Sequence, residues 1–252
     1  MSMRLLFTFP FLAAALPLAA WAAPALPDGR IILPPPPAAH STAQHEDDAV
    51  FQETRHLAGS ARWRTALNDA DLHPQHLLAD FSCAAGVTLD ANRLPRLTAL
   101  IAHLQPAIEQ SVTDEKQYWK RKRPFVGNDL PICTDDRAHL GDSPAYPSGH
   151  TTHGWIVASI LAEIMPDRAT EILHRGRVFG ESRIVCGVHW KSDVQAGWIN
   201  GGAMFAALQA DSQFQADLLA ARQEVAALRA RPQVPDAARC AADSQTASQP
   251  IE

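Results

Sequence analysis

The sequence has no excess of positive charge. Its 22 Lys and Arg stand against 27 Asp and Glu, a formal net charge of -5 over 252 residues. Broad binding to nucleic acid or to an anionic membrane needs a basic surface, so neither partner is expected. Any positive charge that holds an anion must be concentrated locally. Beyond the first two dozen residues there is no apolar run long enough to span a bilayer, which argues against stable membrane insertion. No HExxH motif, P-loop or dimetal-type carboxylate cluster occurs, so neither a metal nor another cofactor is expected. Strand-like runs and internal repeats are missing as well. The four cysteines, Cys83, Cys133, Cys186 and Cys240, lie too far apart in sequence for a strong zinc reading. An even set in an exported chain suggests disulfides, with three possible pairings left open.

What is present begins with an export signal. Met1 to Arg4 gives a short positive start, Leu5 to Leu18 is almost wholly apolar, and Ala20-Trp21-Ala22 puts small residues where a signal peptidase reads them. Residues 1–22 are therefore expected to be a cleaved signal peptide, and Pro10 and Pro17 argue against an anchor. Residues 23–46, with Leu33 followed by Pro34 to Pro37, read as a proline-rich lead that cannot be helical throughout. Residues 47–231 read as one helical domain, a length that can bury a sizeable core. Residues 232–252, rich in Pro, Ala, Ser and Gln, read as a loose tail.

Within the domain the apolar spacing is helical. Leu94, Leu97, Leu100, Leu104 and Ile108 recur at three and four, with Pro95 and Pro106 read as first-turn prolines of successive helices. A further helix is expected near 112–121, closed by Pro124. Residues 125–147 form a long loop of the kind that usually carries function. An apolar helix with Trp155, Ile156, Ile160 and Ile164 follows, then helices near 167–185, 193–209 and 211–230. The expected fold is an all-α, compact, single-domain helical bundle.

Three segments carry unusual chemistry. In Lys116-Gln-Tyr-Trp-Lys-Arg-Lys-Arg123-Pro124, residues seven apart would share one helical face and could converge on an anion, although a basic run alone is most often a solvated face. In Pro147-Ser148-Gly149-His150, a Ser cap and a small residue open an apolar helix, and a helix N-terminus attracts anions. His150 would stand beside such an anion as a proton donor, and His153 reads as a core or rim histidine. In Ser182-Arg183 to His189 and Asp193, a carboxylate four residues from an imidazole can fix its tautomer. That contact could arise within one helix or with Asp193 in the first turn of a new helix capped by Ser192. Gly187 would mark a bend that brings Arg183 to the pair.

In this order, K-x6-R-P, P-S-G-H and S-R-x5-H-x3-D resemble the signature of the type 2 phosphatidic acid phosphatase superfamily. The chain looks most like its class A bacterial non-specific acid phosphatases. The likeness extends to the LPPPP lead and to Asp80-Phe81-Ser82-Cys83-Ala84, and covers about residues 31–230. It implies that Lys116, Arg123, Arg183, Ser148 and the Gly149 N–H hold phosphate. His189 would attack phosphorus, Asp193 would orient it, and His150 would protonate the leaving alcohol. A periplasmic, homo-oligomeric hydrolase of small phosphomonoesters is implied, working through a phosphohistidine without metal. Where relatives commonly read Gly-Ser before Tyr-Pro-Ser-Gly-His, this chain has Asp142-Ser143-Pro144-Ala145, so the pocket rim is expected to differ. The alternatives are a soluble lipid-phosphate phosphatase, a vanadium-dependent haloperoxidase, or a non-catalytic phosphate-binding module.

Overall fold

The computed structural model describes residues 24–247 and Ile251; the signal-peptide reading of residues 1–22 lies outside them. Among the described residues there is no strand. The helices are α1 (Gly29–Ile32), α2 (Thr42–Thr54), α3 (Ala61–Asn68), α4 (Pro74–Ala85), α5 (Pro95–Trp119), α6 (Arg137–Asp142), α7 (Gly149–Ile164), α8 (Ala169–Val185), α9 (Lys191–Leu208), α10 (Ser212–Ala230) and α11 (Ala237–Ala247). The protein is all-α, and no described helix is long and apolar enough to cross a membrane.

The apolar helix α7 is the centre of the fold, buried from Thr151 to Ile164 on most of its surface and packed against α8 and α9. Its sequence is apolar all round, as a helix enclosed by others must be. Helix α5 lays Leu97, Leu100, Ile101, Leu104, Ile108 and Val112 into the same core. It corrects the expectation of two helices broken at Pro106, because one helix of 25 residues runs through that proline. A proline inside a helix leaves the carbonyl four residues earlier unpaired. Here both Pro106 and Ala102 are exposed, so water can satisfy that group.

The expected end of α5 at residue 121 also moves. The helix stops at Trp119, with Lys120 in the left-handed region at φ 49°. The chain then leaves as an irregular segment well before Pro124. The lead carries the short helix α1 and, from Thr42, the first residues of α2, instead of running extended throughout. The long loop likewise holds the six-residue α6. The tail, read as loose, carries α11 and is tied down by a Cys83–Cys240 disulfide. The second disulfide joins Cys133 in the long loop to Cys186 at the end of α8.

Candidate active site

The three motif segments meet at the start of α7. Lys116 lies in the last turn of α5, and Arg123 lies four residues beyond the end of that helix. They are therefore not brought together by a shared helical face, as the spacing suggested. The turn at Lys120 sends the chain back, and Arg123 is fixed by its Nε–H donating to the Ser143 carbonyl (2.8 Å) and Nη1–H to the Val188 carbonyl (2.8 Å).

Arg183 and His189 are joined by the tight turn that ends α8. Gly187 takes φ 72°, the left-handed conformation that favours glycine, and a side chain there would strike the Arg55 guanidinium. Arg55 Nη2 donates to the carbonyls of Ile184 and Val185 (2.8 Å each), placing a cation on the C-terminal end of the helix. The bend expected at Gly187 is thus present. Helix α9 begins directly afterwards, capped by Trp190 and not by Ser192. Asp193 sits in its first turn, where Oδ2 accepts from the Trp190 N–H (2.9 Å) and lies 3.3 Å from His189 Nδ1.

That contact assigns the tautomer. A carboxylate accepts, so Nδ1 carries the proton, and Nε2 presents its lone pair to Arg123 Nη1 at 3.1 Å. His189 is 2% exposed and Asp193 fully buried. Burial, reinforced by Arg123, Lys116, Arg183 and His150, holds the His189 imidazole well below its usual range, so it is neutral. Burial also pushes Asp193 up to about 6, against the opposing pull of Arg121.

The remaining groups border a nearby cavity, which His189, Arg123, Arg183 and Ser148 do not line. Lys116, Gly149, His150 and His153 line a cavity of about 270 Å³, with Val112 and Leu72 as apolar wall. Val112 Cγ1 comes within 3.1 Å of where a Cβ on Gly149 would stand, so glycine lets α5 close onto the helix start. Ser148 caps α7, its Oγ accepting from the Thr151 N–H (3.4 Å) and hydroxyl (2.9 Å), which leaves its own proton for another acceptor. His150 Nε2–H donates to the Ala70 carbonyl (2.9 Å), so Nδ1 is the nitrogen available for proton exchange. Burial, then Arg183, His153 and Lys116, hold His150 well below the usual imidazole range. His153 is pushed down to about 4 by burial.

The cations crowd one another at this end of the helix. Burial and Arg123 press Lys116 down to about 7, and burial brings Arg123 and Arg183 to about 10. Arg183 Nε is buried with no hydrogen-bond partner among the described residues. Three crowded cations and an unsatisfied donor are costly unless an anion joins them. A helix N-terminus adds further positive potential.

Residues that the motifs did not mark support this arrangement. Arg121 bridges Asp193 (2.6 Å) and Asp47 of α2 (2.6 Å), and also donates to Ser192 Oγ (2.6 Å). Asp69 accepts from Arg175 and from Ser182 Oγ (2.6 Å), which fixes the segment whose Ala70 carbonyl holds His150. Arg121 stood in plain view in the basic run, but its role depends on Asp47, 74 positions away.

This combination of helical architecture and anion cradle defines a recognisable class. The PAP2 superfamily profile matches residues 97–215, and the chain belongs to that superfamily. Its relatives are named for their activity. The chain is 49% identical over 214 residues to a Zymomonas mobilis protein named acid phosphatase, covering 84% of this chain and 81% of that one. It is 35% identical over 200 residues to the Salmonella typhimurium non-specific acid phosphatase, covering 79% and 80%. It is also 35% identical over 204 residues to that of Providencia stuartii, covering 80% and 82%. The chain therefore takes its place among the acid phosphatases of the superfamily.

Proposed function

We propose that the protein is an exported acid phosphatase that hydrolyses small phosphomonoesters through a phosphohistidine on His189, without a metal ion. The observation that carries this reading is the pair of contacts on one imidazole: Nδ1 against Asp193 and Nε2 against Arg123. A ring held in that way offers a neutral, oriented nucleophile at the place where an anion would bind.

Lys116, Arg123, Arg183, Ser148 and the Gly149 N–H hold the phosphate oxygens. A phosphoryl group in transfer spreads its charge over three oxygens, so fixed cations and a helix end do most of the work. The Nε2 lone pair of His189 forms an N–P bond as the ester P–O bond breaks. The leaving oxygen takes a proton from His150. Water then attacks phosphorus, returns a proton to His150, and releases orthophosphate and the free imidazole. Asp193 stabilises the positive charge that His189 gains while phosphorylated.

Residues 1–22 are proposed to be removed on export to the periplasm, and assembly as a homo-oligomer is proposed from the class A likeness alone. Release of p-nitrophenol from its phosphate ester in excess chelator is the test. Undiminished turnover is expected. Loss of turnover that returns only with added zinc or magnesium would overturn the metal-free reading.

A further inference from the structure

At about 270 Å³ the cavity is larger than a phosphate ion needs, and its wall along α5 has a distinct chemistry. Gln105, Glu109, Thr113 and Gln117 line it from α5, each four residues after the last. That spacing keeps them on one side of the helix, climbing about 6 Å per step. They form a polar stripe next to the apolar strip of Val112 and Leu72. Glu109 is seven residues before Lys116, on nearly the same face and about 10 Å along the axis. Among the described residues lining the cavity, Lys116 is the only Lys or Arg, and Glu109 is the only carboxylate. The wall therefore carries positive charge at its inner end and negative charge at its outer end. No Phe, Tyr or Trp of the described residues lines it, so it offers no large ring on which a planar group could stack.

We infer that this wall selects leaving groups by charge: it takes neutral polyhydroxylated alcohols and turns away those carrying an anion, with Glu109 as the specificity-determining residue. The inference rests on the phosphatase reading of the same site. Phosphate anchored at Lys116 places a leaving group of about three to six carbons along the stripe. Its hydroxyls meet the amide of Gln117 and the hydroxyl of Thr113. A second negative charge on that leaving group meets the Glu109 carboxylate instead. Glu109 is exposed, so water and salt weaken the repulsion, and the expected discrimination is about three- to tenfold, not orders of magnitude.

The test compares kcat/KM for glucose 6-phosphate, whose leaving group is neutral, with that for 3-phosphoglycerate, whose leaving group bears a carboxylate. Glu109→Gln should raise kcat/KM for 3-phosphoglycerate about three- to tenfold and leave glucose 6-phosphate nearly unchanged. In the unaltered enzyme the gap between the two substrates should narrow as salt rises from about 20 mM to about 300 mM. An equal response of both substrates to Glu109→Gln, or a gap indifferent to salt, would overturn the charge filter while leaving the phosphatase intact. p-Nitrophenyl phosphate serves as the common reference. If it is not hydrolysed, the phosphatase reading itself falls, and the filter with it.

Discussion

Arg121 holds two buried carboxylates apart, Asp47 and Asp193, and through the second of them it governs the orientation of His189. Removing one partner of a buried ionic cluster leaves uncompensated charge and costs about 3–5 kcal/mol. Arg121→Met should therefore lower stability by an amount in that range. It should also reduce kcat by roughly 10–100-fold, the scale typical of groups that orient a working imidazole. Adding Asp47→Asn removes one of the stranded charges and should recover part of the stability but little of the activity. Thermal melts and kcat for the single and double variants check this; activity that recovers in step with stability would make Arg121 merely structural. The difference between Arg121 and the motif residues is instructive. Lys116, Arg123, Ser148, Gly149, His150, Arg183, His189 and Asp193 could be proposed from sequence because fixed short spacings carry them. Arg121, Asp47 and Asp69 act through contacts between distant segments, and local pattern holds no trace of such pairings.

At the scale of elements, α5 does two jobs at its C-terminal end. Lys116 faces the cavity, and its neighbour Glu115 faces the other way, fully buried beneath the lead. There it accepts from Asn200 Nδ2 of α9 (2.7 Å) and from the backbone of Gly29. Burial pushes Glu115 up to about 7 from 4.5. A carboxyl whose folded value is raised binds more protons in the folded state than in the unfolded one. Its contribution is complete below about pH 4.5 and is lost as pH rises through about 7. Glu115→Gln should remove that dependence, so the melting temperature of the variant should fall less than that of the parent between those limits. The comparison isolates Glu115 because the buried histidines titrate identically in both proteins. Parallel curves would contradict it. The periodic apolar face of α5 and the apolar run of α7 were readable from sequence, because the first buries a stripe at helical spacing and the second is enclosed by other helices. The passage of α5 through Pro106 was not, since local rules put a break there and only solvent access to Ala102 relieves it. Helix α11 was hidden for a similar reason: its polar, small-residue composition forms no core stripe, and the tether to Cys83 depends on the fold.

For the molecule as a whole, the decisive feature is that widely separated stretches converge at one helix start, so that their charges act on each other. His150 is held neutral in the free protein by burial and by Arg183, His153 and Lys116. A bound phosphate dianion opposes those cations and draws a proton back to His150. The limb of kcat/KM, which reports the free enzyme, should therefore fall at lower pH than the limb of kcat, which reports the bound state. Lys116, pushed down to about 7, adds to the loss of binding above neutrality. Profiles of both constants against pH check this, and coincident limbs or a kcat/KM that climbs into the alkaline range would contradict it. The motifs named the candidate residues. Their mutual electrostatics became visible only with the fold, because burial sets the size and sign of each shift.

The most direct measurement is the site of phosphorylation during turnover. His150→Ala removes the proposed proton donor, and the variant should still accept phosphate slowly from p-nitrophenyl phosphate, whose leaving group needs little protonation. Quenching that variant in alkali, where phosphohistidine survives, and weighing its peptides should find one phosphate on His189, absent when His189→Ala is added. Phosphate on Ser148 or another residue, or turnover that persists without His189, would contradict a nucleophilic imidazole at the centre of this site.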